Sequence, residues 1–344
     1  MSASENKLHD IKDLDINGLD GLIERYGWRS FTRDQLLGWL YRRKARSFDE
    51  MTNLAAEVRQ TLERDYFIGS LEKGDEMSSA DGTKKWLLCL NDGRAVETVL
   101  MPMEGRVTLC ISTQVGCAMG CKFCKTAEMG LIRNLTQGEI LGQVIEAQRL
   151  SERPITNVVF MGMGEPLHNY DTVVGACRIL IDKRAFGLAA RKVMVSTVGL
   201  ADKIGLFKRD LPVKLAISLN ATLDAVRDEI MPVNRAHDIE TLLGACRAVK
   251  LQGKDRFTFE YVLFAGLNDS PEDAKRLARL LTGIRCKINL IPYNEYAGSP
   301  YRRPTIEQIE HFYHALADRD FQVNIRWSKG DSIMAGCGQL ATSR

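Results

Sequence analysis

No apolar run in the 344-residue sequence is long enough to span a bilayer. The opening stretch Met1–Lys7 also lacks the charged-then-apolar pattern of a secretion signal. The expectation from both is a cytoplasmic chain with no membrane partner. Charge of one sign is also scarce. The 47 Lys and Arg residues face 44 Asp and Glu, a formal net charge of +3. The chain as a whole therefore makes no case for a polyanion partner, and local clusters have to carry one. Internal repeats and low-complexity tracts are missing, which excludes solenoids and disordered linkers. What remains is 45% hydrophobic and 26% charged, the composition of a globular chain with one large core and a smaller module. In a reducing compartment the nine cysteines are poorly explained as a disulfide framework. Metal binding or catalysis explains them better.

Residues 1 to 16 read as polar and frayed. From Leu19 to Phe67 apolar residues recur at helical spacing: Leu22, Ile23 and Tyr26, then Leu36, Leu37 and Leu40, then Leu54, Val58 and Leu62. This predicts a small helical bundle, with the basic run Arg42, Arg43, Lys44 and Arg46 beside Trp39 and Tyr41. Lys85–Leu90 and Arg94–Leu100 read as strands of a hairpin turned by Asn91-Asp92-Gly93.

Strands and helices then alternate. Strand-like runs occupy Val107–Ser112, Asn157–Met161, Lys192–Thr197, Val213–Leu219, Phe257–Phe264 and Lys287–Ile291. The helices between them carry start signals: Thr136 with Glu139 and Thr305 with Gln308 as capping boxes, and Ser270 before Pro271. Such βα units imply a parallel α/β sheet with right-handed crossovers, closing as a partial (β/α)6 TIM-like barrel. The expected division is a helical accessory domain over 1–75, a hairpin over 76–104, the barrel over 105–320 and a C-terminal extension over 321–344.

After the first of those strands comes Gly116-Cys-Ala-Met-Gly-Cys-Lys-Phe-Cys124. Three thiolates at spacing four and three suit a soft metal centre. A structural zinc site would need a fourth ligand, and no His or Cys stands close in sequence. An iron–sulfur cluster held by Cys117, Cys121 and Cys124 alone would leave one iron open. Polar or glycine-bearing motifs follow other strands: Gly162-Met-Gly-Glu-Pro166, Ser196-Thr-Val-Gly199, Ser218-Leu-Asn220 and Tyr293-Asn-Glu295. In parallel barrels the strand C-termini form the active face.

The CxxxCxxC motif, with Phe123 before its last cysteine, resembles the radical S-adenosylmethionine (SAM) superfamily. That resemblance implies one [4Fe-4S] cluster per chain, with SAM chelating the open iron and giving a 5′-deoxyadenosyl radical on reduction. Arg46–Leu54, Gly116-Cys117, Gly162–Pro166, Met231–Asn234, Gly330-Asp331 and Cys337–Leu340 further resemble the RlmN/Cfr family of RNA methyltransferases, and its RlmN branch most closely, over about Leu19 to Leu340.

The resemblance implies methylation of adenine C2 in 23S rRNA and tRNA, with two SAM molecules per turnover. Cys337 would carry the methyl group as S-methylcysteine, Cys110 would resolve the protein–RNA adduct through a disulfide, and Glu97 would be the general base. It places SAM contacts at Gly164, Glu165, Ser196, Ser218, Leu219, Asn220 and Asn294. Asn220 departs from the family's usual His, which leaves open whether that contact uses side chain or backbone. An electron donor such as flavodoxin and a monomeric state are also expected. The basic run Arg42–Arg46 and Lys183, Arg184, Arg191 and Lys192 are the candidate RNA surface. Three alternatives stand beside this: C8 methylation as in the Cfr branch, a radical SAM enzyme with no use for Cys337, and a non-catalytic metal-stabilised RNA-binding module.

Overall fold

The computed structural model describes residues 8–342. Its main sheet has ten strands, labelled here in chain order. They are β1 Glu72–Ser78, β2 Lys84–Cys89, β3 Ala95–Met103, β4 Arg106–Ile111 and β5 Asn157–Phe160. Then follow β6 Val193–Thr197, β7 Lys214–Ser218, β8 Phe257–Leu263, β9 Cys286–Pro292 and β10 Val323–Ile325. Spatial order follows chain order from β1 to β10. β1 to β4 pair antiparallel, and β4 to β10 pair parallel. A singly wound parallel sheet with crossover helices is the (β/α) barrel arrangement. Here β1 and β10 do not pair, so the barrel is partial.

β8 shows why the sheet curls around a polar interior. Phe257, Phe259, Tyr261 and Leu263 are at most 1% exposed and face the outer helices. Tyr261 stacks on Phe312 of the helix Ile306–Ala317 at 5.4 Å. The alternate residues Glu260 and Val262 line an interior cavity, as the two-residue strand period requires. The helices begin where the sequence says they should. Thr136 with Glu139, Ser270 with Asp273, and Thr305 with Gln308 each form a capping box.

Three features depart from the sequence reading. The segment expected to fray is partly ordered: residues 1–7 lie outside the described residues, but Ile11 is fully buried. His9–Asp10 pairs with Tyr66–Phe67, and Gln137 Nε2 donates to the carbonyls of Lys12 and Leu14 at 2.9 Å. The hairpin gains a third strand, β1, and continues the barrel sheet through β3–β4 pairing instead of standing apart. A seventh parallel strand, β10, lies within the stretch assigned to the C-terminal extension. No helix among the described residues is long and apolar enough to cross a membrane.

The N-terminal module has helices Ile16–Arg25, Phe31–Leu37 and Ala56–Asp65. The second runs into a π-helical turn, Gly38–Arg43. Arg43 stacks over Trp39 at 4.1 Å, while Arg42 Nε donates to the Ala185 carbonyl at 3.0 Å, tying the module to the barrel. Of the other expected RNA contacts, Arg184 is ion-paired with Asp182 and Asp34. Arg191 and Lys192 precede β6, so they sit at the strand N-termini, opposite the face that carries the polar motifs.

Candidate active site

The cysteine loop is shaped by a small hairpin. Gln114–Gly116 pairs antiparallel with Leu131–Asn134, and its connection holds Cys117, Cys121, Cys124 and the short helix Lys125–Glu128. Gly116 has φ +75°, and a Cβ there would lie 1.8 Å from the Gly130 carbonyl oxygen, so only glycine closes this loop. The three cysteines line one cavity of about 140 Å³ at the C-terminal ends of the strands.

Burial is the main force on these thiols. It pushes Cys117 up to about 12 and Cys121 well above the ordinary thiol value, and Cys121 is raised further by Cys124 and Cys117. Cys124 is also raised by burial, against the N–H of Ala127. Buried thiols that feel one another's charge become stable thiolates when a cationic centre joins them. Among the described residues no ready-formed group of three or more His, Cys, Asp or Glu for a metal ion is present. Three soft thiols lining one cavity are the donor chemistry that an iron–sulfur cluster takes, so the residues fit that group.

Other strand ends complete the wall. Gly164 adopts φ +103° and packs against Gln114, where a Cβ would come within 2.6 Å of that side chain. Glu165 is buried, and its carboxylate accepts from the N–H of Leu167 at 2.9 Å and of Val198 at 2.8 Å. Burial nevertheless raises it to about 7. Ser196, Ser218 and Asn220 line the cavity; Leu219 does not, and it is fully buried. Asn220 has φ +57°, a left-handed conformation that Asn tolerates better than most residues. Its Oδ1 accepts from the Val262 N–H at 2.9 Å and its Nδ2 donates to Met231 Sδ. Its side chain is thus committed to the loop.

The C-terminal tail closes the cavity. Asn294 Nδ2 donates to the Cys337 carbonyl at 3.1 Å, Lys125 N–H to Gly338 at 2.7 Å, and Thr126 Oγ1 to Leu340. These bonds leave the Cys337 side chain exposed toward the cavity. The surrounding protein still raises its thiol to about 11, burial first and Glu260 next. Cys110 is buried behind the wall, and after burial the strongest influence on it is Cys337. All nine cysteines are free thiols, so the expected disulfide is not formed in this structure.

Glu97 lies outside this cavity. It pairs with Lys85 at 2.8 Å and accepts from the Ala341 N–H at 2.9 Å, anchoring the tail. Strand alternation puts it on the same sheet face as Cys110, since Cys110 faces Val99 across β3–β4.

Two residues escaped the sequence reading. Glu260 lines the cavity from mid-strand, and the one charged residue in Phe257-Thr-Phe-Glu-Tyr-Val262 was its signal. Arg227 is fully buried and donates to the carbonyls of Leu219 (3.0 Å), His237 (2.9 Å), Val198 (2.8 Å) and Ser218 (3.3 Å), and to Asn234 Oδ1 (2.8 Å). It ties together the ends of β6 and β7. Arg227→Met leaves these acceptors buried without donors, so urea unfolding is expected to show a loss on the order of 3 kcal/mol. A loss below about 1 kcal/mol would mean that the loops hold themselves.

Comparison with known proteins agrees with this geometry. Residues 111–280 match the radical SAM superfamily, and residues 9–68 match the ribosomal RNA large subunit methyltransferase N-terminal domain. A protein of Geotalea uraniireducens named dual-specificity RNA methyltransferase RlmN is 48% identical, with 96% of each chain covered. Its namesake in Pelobacter propionicus is 49% identical, over 96% of this chain and 95% of the other. The crystal structure of a radical SAM methyltransferase from Sphaerobacter thermophilus superposes with a TM-score of 0.89 at 41% identity, covering 96% of this chain and 99% of that one. A cysteine-lined cavity at the mouth of a partial barrel, closed by a cysteine-bearing tail, thus accompanies near full-length similarity, and the chain belongs to the RlmN family within the radical SAM superfamily.

Proposed function

We propose that this enzyme methylates C2 of an adenine in 23S rRNA and in tRNA, in the cytoplasm, and that Cys337 carries the methyl group. The observation that supports this best is a tail thiol facing the same cavity as the cluster cysteines. C2 of adenine is electrophilic and carries no acidic proton, so a methyl cation has no nucleophile to meet there.

Cys117, Cys121 and Cys124 would hold the [4Fe-4S] cluster, one per chain, which together with bound SAM would supply a radical able to abstract hydrogen. Gly164, Glu165, Ser196, Ser218, Asn220 and Asn294 form the SAM pocket, while Leu219, between two of them, stays off the cavity wall with its backbone bonded to Glu260 and Arg227. Cys337 accepts a methyl group from one SAM, gives up a hydrogen atom from that methyl, and delivers the carbon to the base. Cys110 then releases the product by forming a disulfide with Cys337, both being free thiols in this structure. Glu97, in this conformation, holds the tail through Ala341; tail movement would free its carboxylate to act as the base. Arg43 on Trp39 gives the N-terminal module a cationic, stackable surface for RNA. An electron donor such as flavodoxin supplies the electron to a monomeric enzyme.

The reading requires two SAM molecules per methyl group. Anaerobic turnover with SAM, reductant and RNA should give 5′-deoxyadenosine and S-adenosylhomocysteine in equal amounts for each methyl transferred. S-adenosylhomocysteine alone would sink it in favour of ordinary methyl transfer.

A further inference from the structure

Three carboxylates stand around the cavity and the tail, Glu97 and Glu165 buried and Glu260 half-buried, and the first two are already occupied. Glu165 accepts two backbone N–H groups. Glu97 is ion-paired with Lys85 and holds Ala341. Glu260 differs. Its side chain stands on the inner face of β8 and lines the cavity that Cys337 also lines. It accepts from Ser196 Oγ at 3.3 Å and lies beside the Asn289 amide, while Arg326 and Lys287 act on it only from a distance. Among the described residues no backbone N–H and no cation is bonded to it. A half-buried carboxylate in a cavity, with spare acceptor capacity and no ion pair, is the arrangement of an acid–base group.

The Cys337 thiol needs such a partner. Its surroundings keep it protonated at neutral pH, and the charged groups acting on it are Glu260, Arg326 and Cys124. Of these only Glu260 is a free carboxylate. Resting on the reading of Cys337 as methyl carrier, we infer that Glu260 is the general base that takes the Cys337 proton as this sulfur is methylated. The Cys337 Sγ–carbon bond forms while the methyl–sulfonium bond of SAM breaks, leaving S-adenosylhomocysteine. The thiol proton passes to the Glu260 carboxylate, which later returns it to solvent. Ser196 and Asn289 orient the carboxylate through their hydrogen-bonding groups. The buried carboxylate favours its protonated form more than a solvated one does, which strengthens it as a base.

The test follows the mass of the Cys337 peptide in cluster-loaded protein given SAM. Glu260→Gln should form methyl-Cys337 about 100-fold more slowly than wild type at neutral pH, and Glu260→Asp should recover part of the rate. The pH profile should change as well: wild type levels off once Glu260 is ionised, whereas E260Q climbs about tenfold per pH unit as hydroxide replaces the base. Iodoacetamide labelling of Cys337 gives a reading apart from methyl transfer. E260Q should label several-fold more slowly at neutral pH, because the same proton has to leave the thiol before its sulfur attacks carbon. A merely repulsive neighbour would give the opposite sign, faster labelling, because its charge only raises the thiol. Methylation by E260Q at or above the wild-type rate overturns the inference and leaves the carrier reading standing. So does unchanged labelling. If wild-type Cys337 acquires no methyl group, both fall together.

Discussion

Replacing Cys121 with serine should leave a folded protein that binds little iron and does not cleave SAM. Cys121 is 8% exposed and packs with Ile230, Met231 and Phe264, so the alcohol would face an apolar wall and ligate iron poorly. The loop should survive the change because its backbone bonds do not use the sulfur. Lys122 N–H still donates to the Ile230 carbonyl at 2.9 Å, and Cys124 N–H to the Cys121 carbonyl at 3.1 Å. Losing even an outer partner of a metal site costs about 10–100-fold. Losing one of three thiolate ligands should therefore cut 5′-deoxyadenosine release by at least about 100-fold. Iron content by mass spectrometry and the far-ultraviolet circular dichroism spectrum check it together. Full iron with an intact fold would remove Cys121 from the ligand set.

Cys337→Ala separates the cluster from the methyl carrier. The tail is held by main-chain carbonyls of Cys337, Gly338 and Leu340, all of which an alanine keeps. The variant should load iron normally and form no methylated RNA, a loss of roughly four orders of magnitude or more, as for other covalent nucleophiles. The same protein should show no methyl-cysteine peptide. Methylated RNA from this variant would exclude covalent transfer through the tail and favour a radical SAM enzyme with no use for Cys337.

Much of this site was legible from the sequence because it is written in local patterns. The CxxxCxxC spacing and the polar residues after successive strands mark one face, and the six βα units place that face at a barrel mouth. β1 was not legible: Glu72–Ser78 is an exposed edge strand with no apolar alternation. β10 is three residues long, too short to show a period. The ordered segment around Ile11 is fixed by contacts to Gln137 and Gly138, far along the chain, which no local window contains. Arg227 looked like an ordinary helix residue, since its acceptors come from loops spread between Val198 and His237. Glu260 was visible as a charge in an apolar strand, but strand alternation leaves open whether such a face meets solvent or a cavity. The structure also altered the expected RNA surface by showing Arg42 and Arg184 already engaged within the protein.

The central claim concerns which carbon receives the methyl group, and nucleoside analysis decides it directly. Reconstituted protein is incubated anaerobically with reductant, SAM and a 23S rRNA fragment or tRNA. The RNA is then digested and its adenosines separated by liquid chromatography and mass spectrometry. The account predicts 2-methyladenosine. Finding 8-methyladenosine, or no methylated adenosine from protein shown to hold its cluster and cleave SAM, would contradict it.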